Sequence, residues 1–124
     1  MIGRAICAAA LSLLFASVGN AAPELTPSEI LANAARYDGQ HVTVNGYVVL
    51  GPETRDIFDS KAAAESAHSA CLGLDAPDKS FTSFHKRYEH RLSGIFRRQL
   101  CGPKDICLFW CSTSGIELDS GQRP

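Results

Sequence analysis

Tyr37-Asp38-Gly39-Gln40-His41-Val42-Thr43-Val44-Asn45-Gly46-Tyr47-Val48-Val49-Leu50 decides the fold. Asp-Gly supplies a turn with a residue that tolerates positive φ. Val42 and Val44 then alternate with His41, Thr43 and Asn45, the period of a half-buried strand. Gly46 interrupts the pattern without ending it, and a glycine inside a strand marks a bulge or a sharp bend. A strand bent at its middle can serve two packed layers, which is how a small barrel closes. Leu92-Ser93-Gly94-Ile95-Phe96 repeats the device: apolar, polar, glycine, apolar, apolar.

Working outward toward the start, Thr26-Pro27-Ser28-Glu29 is a capping box with proline at the first helical position. It predicts a helix over 27–37 with Ile30, Leu31, Ala34 and Ala35 as its apolar stripe and Gly39 as its stop. The helix is expected to cover one open side of the barrel. Before it, Arg4 precedes an apolar run from Ile6 to Val18, and Ala21-Ala22 offers small residues for cleavage. This pattern predicts a secretory signal peptide over 1–22, with the mature chain starting at Ala22 or Pro23. The run is short for a membrane span, so no stable anchor is expected after cleavage. Export places the protein in a periplasmic or secreted setting.

Toward the end, 56–59 predicts a second strand and 60–69 one or two helical turns. Cys71-Leu72-Gly73-Leu74 predicts a third strand, stopped by Asp75-Ala76-Pro77. Phe81, Phe84 and Tyr88 share one face of a predicted helix over 78–88, an aromatic stripe that reads as core. The fourth strand is expected over 90–98 and the fifth over 106–112, with 115–118 extending or following it. The domain thus spans 23–119, and 120–124 is expected to be a flexible tail.

Helix, three strands, helix, two strands is the order of an oligonucleotide/oligosaccharide-binding (OB) fold. Tyr37-Asp38-Gly39-Gln40 with Val42, Val44 and Gly46-Tyr47, then Cys71-Leu72-Gly73-Leu74, then Leu92 with Gly94, resembles the small exported stand-alone OB-fold proteins of bacteria. The resemblance covers most of the mature domain. It implies a mainly β, five-stranded OB-fold-like barrel with a tendency to bind, and it carries no catalytic residues. Nucleic acid enters as a ligand by fold analogy only. Cys101, Cys107 and Cys111 depart from the general pattern.

The whole chain has 124 residues and five cysteines. Losing Arg4 with the leader takes the formal charge from −1 to −2, which argues against a general nucleic-acid binder. Without Cys7, an even set remains: Cys71, Cys101, Cys107 and Cys111. In an exported small protein that set reads as two disulfides. Cys101–Cys107 would close the short Gly102-Pro103 loop and Cys71–Cys111 would tie strand three to strand five; the other two pairings stay open. The cysteine spacing contains no Cys-x2-Cys knuckle, which disfavours zinc. His41, His68, His85 and His90 share no metal spacing, and no cofactor is expected.

Catalytic chemistry finds little footing in these residues. His68 and Cys71 are close in sequence, but a nucleophilic cysteine must be a thiolate, and Cys71 is expected to be oxidised. Asp56 and Asp59 fall on opposite faces of a strand. Glycine-rich phosphate loops and nucleophile elbows are absent from the sequence. No enzymatic activity is expected. His85 through Arg91, with Arg97 and Arg98, is a basic cluster in an acidic domain. It reads as a solvated helix end and strand edge. Its other reading joins Tyr47 to Arg91, Arg97 and Arg98 as a surface for a protein or an anionic oligomer. Two functions follow: an exported binding module, or a periplasmic immunity or inhibitor protein that neutralises an enzyme or toxin.

Overall fold

The computed structural model describes residues 24–76, 86–108 and 110–122. The elements in chain order are β1 (Glu24–Leu25), α1 (Pro27–Ala32), α2 (Ala34–Tyr37), β2 (His41–Gly51), β3 (Thr54–Phe58), α3 (Lys61–Ala64), β4 (Cys71–Asp75), β5 (Lys86–Arg97) and β6 (Gly115–Leu118). The strands form one sheet in the order β1-β2-β3-β4-β6-β5, and a further pairing of β2 with β5 closes it. The protein is therefore mainly β, a closed five-stranded barrel with one extra strand and three short helices among the described residues. β4 runs parallel to β6, while β2 is antiparallel to both β3 and β5. This arrangement is compatible with an OB-like fold.

β2 is the strand on which closure depends. Along one edge it pairs with β5 without a break from His41↔Ile95 to Leu50↔Lys86. Along the other it meets β1 at Thr43 and Val44, then β3 from Tyr47 onward. Gly46 lies between those two partners. A Cβ there would sit 2.3 Å from the Phe58 carbonyl oxygen, so the bend requires the absent side chain. Gly94 does the same on β5, where a Cβ would sit 2.1 Å from the Glu117 carbonyl oxygen. The unbroken register means that both glycines permit close strand approach, and neither carries a bulge.

Alternation decides the interior. Val42, Val44, Val48 and Leu50 of β2 point inward and meet Ile57, Leu72, Leu74, Leu92, Phe96, Ile116 and Leu118 from the other strands. Ile30 of α1 adds a fully buried side chain to this core. Burying each such side chain contributes roughly 1.5–3 kcal/mol. The expected capping residue is in place: Thr26 Oγ1 accepts from the Glu29 N–H at 3.3 Å. The helix itself is interrupted. Asn33, at φ −129° and ψ 39°, separates α1 from α2. Of the expected stripe, Ile30 is buried and Leu31 and Ala34 are half-buried, but Ala35 is exposed and Tyr37 packs on the core in its place.

Two further expectations are corrected. Residues 106–112 are not a strand; the fifth strand of the barrel is β6, at Gly115–Leu118. Lys86, Arg87 and Tyr88 do not end a helix. They open β5, where Tyr88 pairs with Val48 and packs on the core. The remainder of that expected helix and the expected leader lie outside the described residues. Beyond β6, residues 119–122 are tied to β5. The Asp119 N–H donates to the Ser93 carbonyl at 3.0 Å, and Gln122 Oε1 accepts from the Ser93 N–H at 3.1 Å.

Candidate functional site

The four residues proposed for a binding surface do not form one patch. Odd-numbered residues of β5 face outward, so the unbroken register puts Arg91 and Arg97 on the same face. They are nevertheless six positions apart, about 20 Å along a strand. Arg91 sits opposite Asn45 and pairs with Glu24 at 3.4 Å. Arg97, the last residue of β5, pairs with Glu117 at 3.3 Å, whereas Arg91 lies at the middle of the strand. Both pairs are well exposed, so each is weak and salt-sensitive. Tyr47 lies opposite Glu89, one diagonal step from Arg91, but is only 8% exposed. Its ring is not an open stacking platform. Arg98 follows β5. Its N–H donates to Asp38 Oδ1 at 3.0 Å, and with Asp38, Arg97 and Gln99 it lines a polar cleft of ≈ 480 Å³.

The connection from Arg98 to Ser114 is the more distinctive feature. Gly102-Pro103-Lys104-Asp105 makes a turn: the Asp105 N–H donates to the Gly102 carbonyl at 3.0 Å, and the Gly102 N–H donates back to Asp105 Oδ2 at 3.2 Å. The Cys101–Cys107 disulfide closes this turn at its base. The Cys101 N–H donates to the Thr113 carbonyl at 3.1 Å, joining the two legs of the loop.

The returning leg is strapped over the outside of β3 and β4. Cys111 is disulfide-bonded to Cys71 of β4, and its N–H donates to Asp56 Oδ1 at 2.8 Å. The Trp110 ring lies on Gly73, where a Cβ would come within 2.5 Å of its Cγ. Trp110 Nε1 donates to the Leu74 carbonyl at 3.1 Å, and Ser112 Oγ lies 3.1 Å from the Cys71 carbonyl oxygen. The strap crosses the sheet, and the ladder with β4 begins only where the Ser114 carbonyl accepts from the Gly73 N–H. That is why 106–112 is not a strand. Its pattern of apolar residues and cysteine reflects anchoring across the barrel.

Asp56 is the buried acid of this region, 4% exposed. Burial pushes its carboxyl up to about 6, and the Cys111 N–H opposes that rise. Asp59 has a different task. It accepts hydrogen bonds from both the N–H and the Oγ of Ser28, fastening the first turn of α1 to the end of β3. Cys71 offers no thiolate, because its sulfur is held in the disulfide. Among the described residues, no group of three or more His, Cys, Asp or Glu could hold a metal ion.

What the strap leaves outside is apolar. Ile106 is 85% exposed and Leu108 is 80% exposed, flanking Cys107 at the loop tip. The sequence reading placed these two in a strand and so missed the loop. The four cysteines were the available signal, since a segment tied at Cys101, Cys107 and Cys111 has little freedom to lie along a ladder. A larger cleft, of ≈ 530 Å³, sits at the β2–β3 turn and the start of β5, with Glu53, Lys86 and Arg87 in its wall. Comparison of the chain with protein-family models, with curated proteins and with solved structures finds no match.

Proposed function

We propose that the chain is an exported, non-enzymatic binding module on an OB-like barrel, its ligand a protein or an anionic oligomer. The connection from Arg98 to Ser114 carries this reading. Irregular connections beyond about 12–15 residues are uncommon in compact domains and usually functional. This one is held by two disulfides, a reciprocal turn and a buried aspartate, which preorganises it and lowers the entropy lost on binding. In an OB-like barrel it joins the last two strands, a position from which such folds commonly bind. The two disulfides are consistent with an oxidising compartment, which suits the leader-like start of the chain. The rigid projecting loop also favours the second reading, a periplasmic immunity or inhibitor protein that neutralises a partner enzyme or toxin.

The test begins with the full chain expressed with its first residues intact. The recovered protein should start at Ala22 or Pro23, with a mass that accounts for two disulfides. An uncleaved cytoplasmic chain with all five cysteines as free thiols overturns export. For binding, Arg91→Ala/Arg97→Ala is compared with Lys61→Ala on α3. Contacts through the arginines weaken with salt, and loss in the control equal to loss in the double variant refutes that face.

A further inference from the structure

We infer that the outer edge of β5, from Arg87 to Arg91, takes an extended acidic peptide of another protein as an added strand, and that the cleft at the start of β5 receives an aliphatic side chain of that peptide. The inference rests on the binding-module reading and specifies the surface and the class of partner. Backbone accounting carries it. Main-chain hydrogen-bonding groups alternate between the two edges of a strand. Phe96 faces β2, since its N–H donates to the Gln40 carbonyl and its own carbonyl accepts from the Gly39 N–H. Even-numbered residues of β5 therefore bond to β2, and odd-numbered residues turn their N–H and C=O to the other edge. β6 covers that other edge at residues 94–97. Ser93 is covered too, by the Asp119 N–H on its carbonyl and by Gln122 Oε1 on its N–H. There the cover ends. Among the described residues, no strand pairs with Arg91, Glu89 or Arg87 on this side, although β5 keeps its register with β2 down to Lys86.

The chemistry of this edge selects its occupant. Main-chain donors and acceptors that recur every second residue, about 6.8 Å apart, are complementary to another extended backbone. Charge then sets the sequence of that backbone. Arg87, Glu89 and Arg91 are exposed and alternate in sign on the outer face of the barrel. A row of like charges would repel an incoming strand. An alternating row accepts a strand that alternates in the opposite sense, acid to Arg91, base to Glu89 and acid to Arg87, which leaves that strand net negative. The Arg91–Glu24 pair is no obstacle, because at 3.4 Å and well exposed it is weak. Arg87 also stands in the wall of the ≈ 530 Å³ cleft, with Lys86, Val49, Leu50 and Pro52. A strand added antiparallel to β5 runs toward that cleft, where an aliphatic side chain meets apolar wall between cations. On the inner face of the same stretch, Tyr88 Oη is buried with no hydrogen-bond partner among the described residues, a second sign that this end of β5 lacks a neighbour.

The probe is acetyl-Glu-Val-Lys-Val-Glu-Leu-amide, which sets acid, base and acid opposite Arg91, Glu89 and Arg87 and its leucine toward the cleft. It is titrated into the full chain, isolated with both disulfides and labelled for amide detection. Before peptide is added, the amides of Arg87, Glu89 and Arg91 should exchange with solvent faster than those of Tyr88, His90 and Leu92, which bond to β2. The peptide should bind saturably and slow exchange at the three edge amides. N-methylation of its two glutamates and its lysine keeps the side chains, removes the donors and should weaken binding by ~30-fold or more. The charge-reversed acetyl-Lys-Val-Glu-Val-Lys-Leu-amide should bind ~10-fold more weakly. Glu89→Pro removes an outward donor without touching the ladder with β2, and should cost ~10-fold in binding. The swap Arg87→Glu/Glu89→Lys/Arg91→Glu changes exposed side chains alone and should invert the preference between the two charged peptides, while Lys61→Ala on α3 should bind as the wild type does. Slow exchange at the edge amides of the free chain, equal binding of the N-methylated peptide, or no binding at ~1 mM peptide overturns the inference. So does sedimentation that shows two copies paired through this edge to the exclusion of the peptide. A chain that ignores the peptide but retains a pulled-down partner, with Glu89→Pro binding that partner unchanged, leaves the binding-module reading standing. A chain that holds neither ends both readings.

Discussion

At the scale of single residues, Asp56 is a buried acid beneath the strap, with the Cys111 N–H as its partner. Its carboxyl is buried against the strap and pushed up to about 6 from its ordinary 3.8. The folded protein therefore holds the Asp56 proton more tightly than the unfolded chain does. The stabilising contribution of that proton is fully present below pH 3.8 and is lost as the pH rises through about 6. Above that pH, ionised Asp56 costs on the order of 2–3 kcal/mol, a net figure that already includes the opposing Cys111 N–H. Asp56→Asn removes the charge and keeps an oxygen that can accept from Cys111. The variant should melt higher than the wild type at pH 7.5, by about 1–2 kcal/mol in stability, with the gap shrinking toward pH 4. Thermal melts across that range check it. Parallel melting profiles for the two proteins would show that Asp56 does not titrate between its folded and unfolded values as argued. Sequence reading could place Asp56 on a strand, but not beneath a strap that crosses it.

Elements separate into those set by local pattern and those set by distant contacts. The alternation at Val42, Val44, Val48 and Leu50 made β2 legible, and the inward face is as the pattern implied. Thr26 and Pro27 likewise marked the start of α1, because capping chemistry is local. Residues 106–112 misled, because an apolar run with cysteines has the same composition in a strand as in a strap. Only the anchors on β3 and β4 distinguish them, and those lie far away in sequence. The glycines were legible as bends but not as contacts. Gly94→Ala would drive a Cβ to 2.1 Å from the Glu117 carbonyl oxygen, a backbone atom that cannot swing aside. The β5–β6 ladder would have to part at Gly94↔Leu118, and the loss should be about 1–3 kcal/mol or more. Gly73→Ala meets Cγ, Cδ1 and Cβ of Trp110 instead, the root of that side chain, so the irregular strap must lift from β4, whereas at Gly94 the ladder would have to part. It should cost less stability while changing the tryptophan fluorescence, since Trp110 is the one tryptophan of the chain. Denaturant melts of the two variants, with emission spectra, separate these outcomes. Equal losses would mean that the strap is as unyielding as the ladder.

For the whole molecule, the question is what a barrel this small requires to keep a long connection in place. The ladders are continuous around the five strands, so closure does not depend on the cysteines. The disulfides act on the connection, and they act unequally. Cys71–Cys111 has a sequence separation of 40 and spans from β4 to the strap, whereas Cys101–Cys107 has a separation of 6 and braces the tip alone. Loop-closure entropy then assigns roughly 4 kcal/mol to the first and roughly 2 kcal/mol to the second. Both pairings were anticipated from loop length and strand order, but the sequence could not show that the larger ring binds a strap to the barrel's outer face. Replacing Cys71 and Cys111 together by serine should lower stability by about twice as much as replacing Cys101 and Cys107. It should also release Trp110 from Gly73 and expose Asp56 to water, returning its carboxyl toward the ordinary range. The Cys101/Cys107 variant should leave the pH dependence contributed by Asp56 in place and loosen only the tip. Chemical denaturation of both double variants at pH 5 and pH 7.5 checks the ranking and the coupling together. If the Cys101/Cys107 variant is the less stable of the two, or if the Cys71/Cys111 variant keeps the wild-type pH profile, the strap does not depend on its barrel anchor.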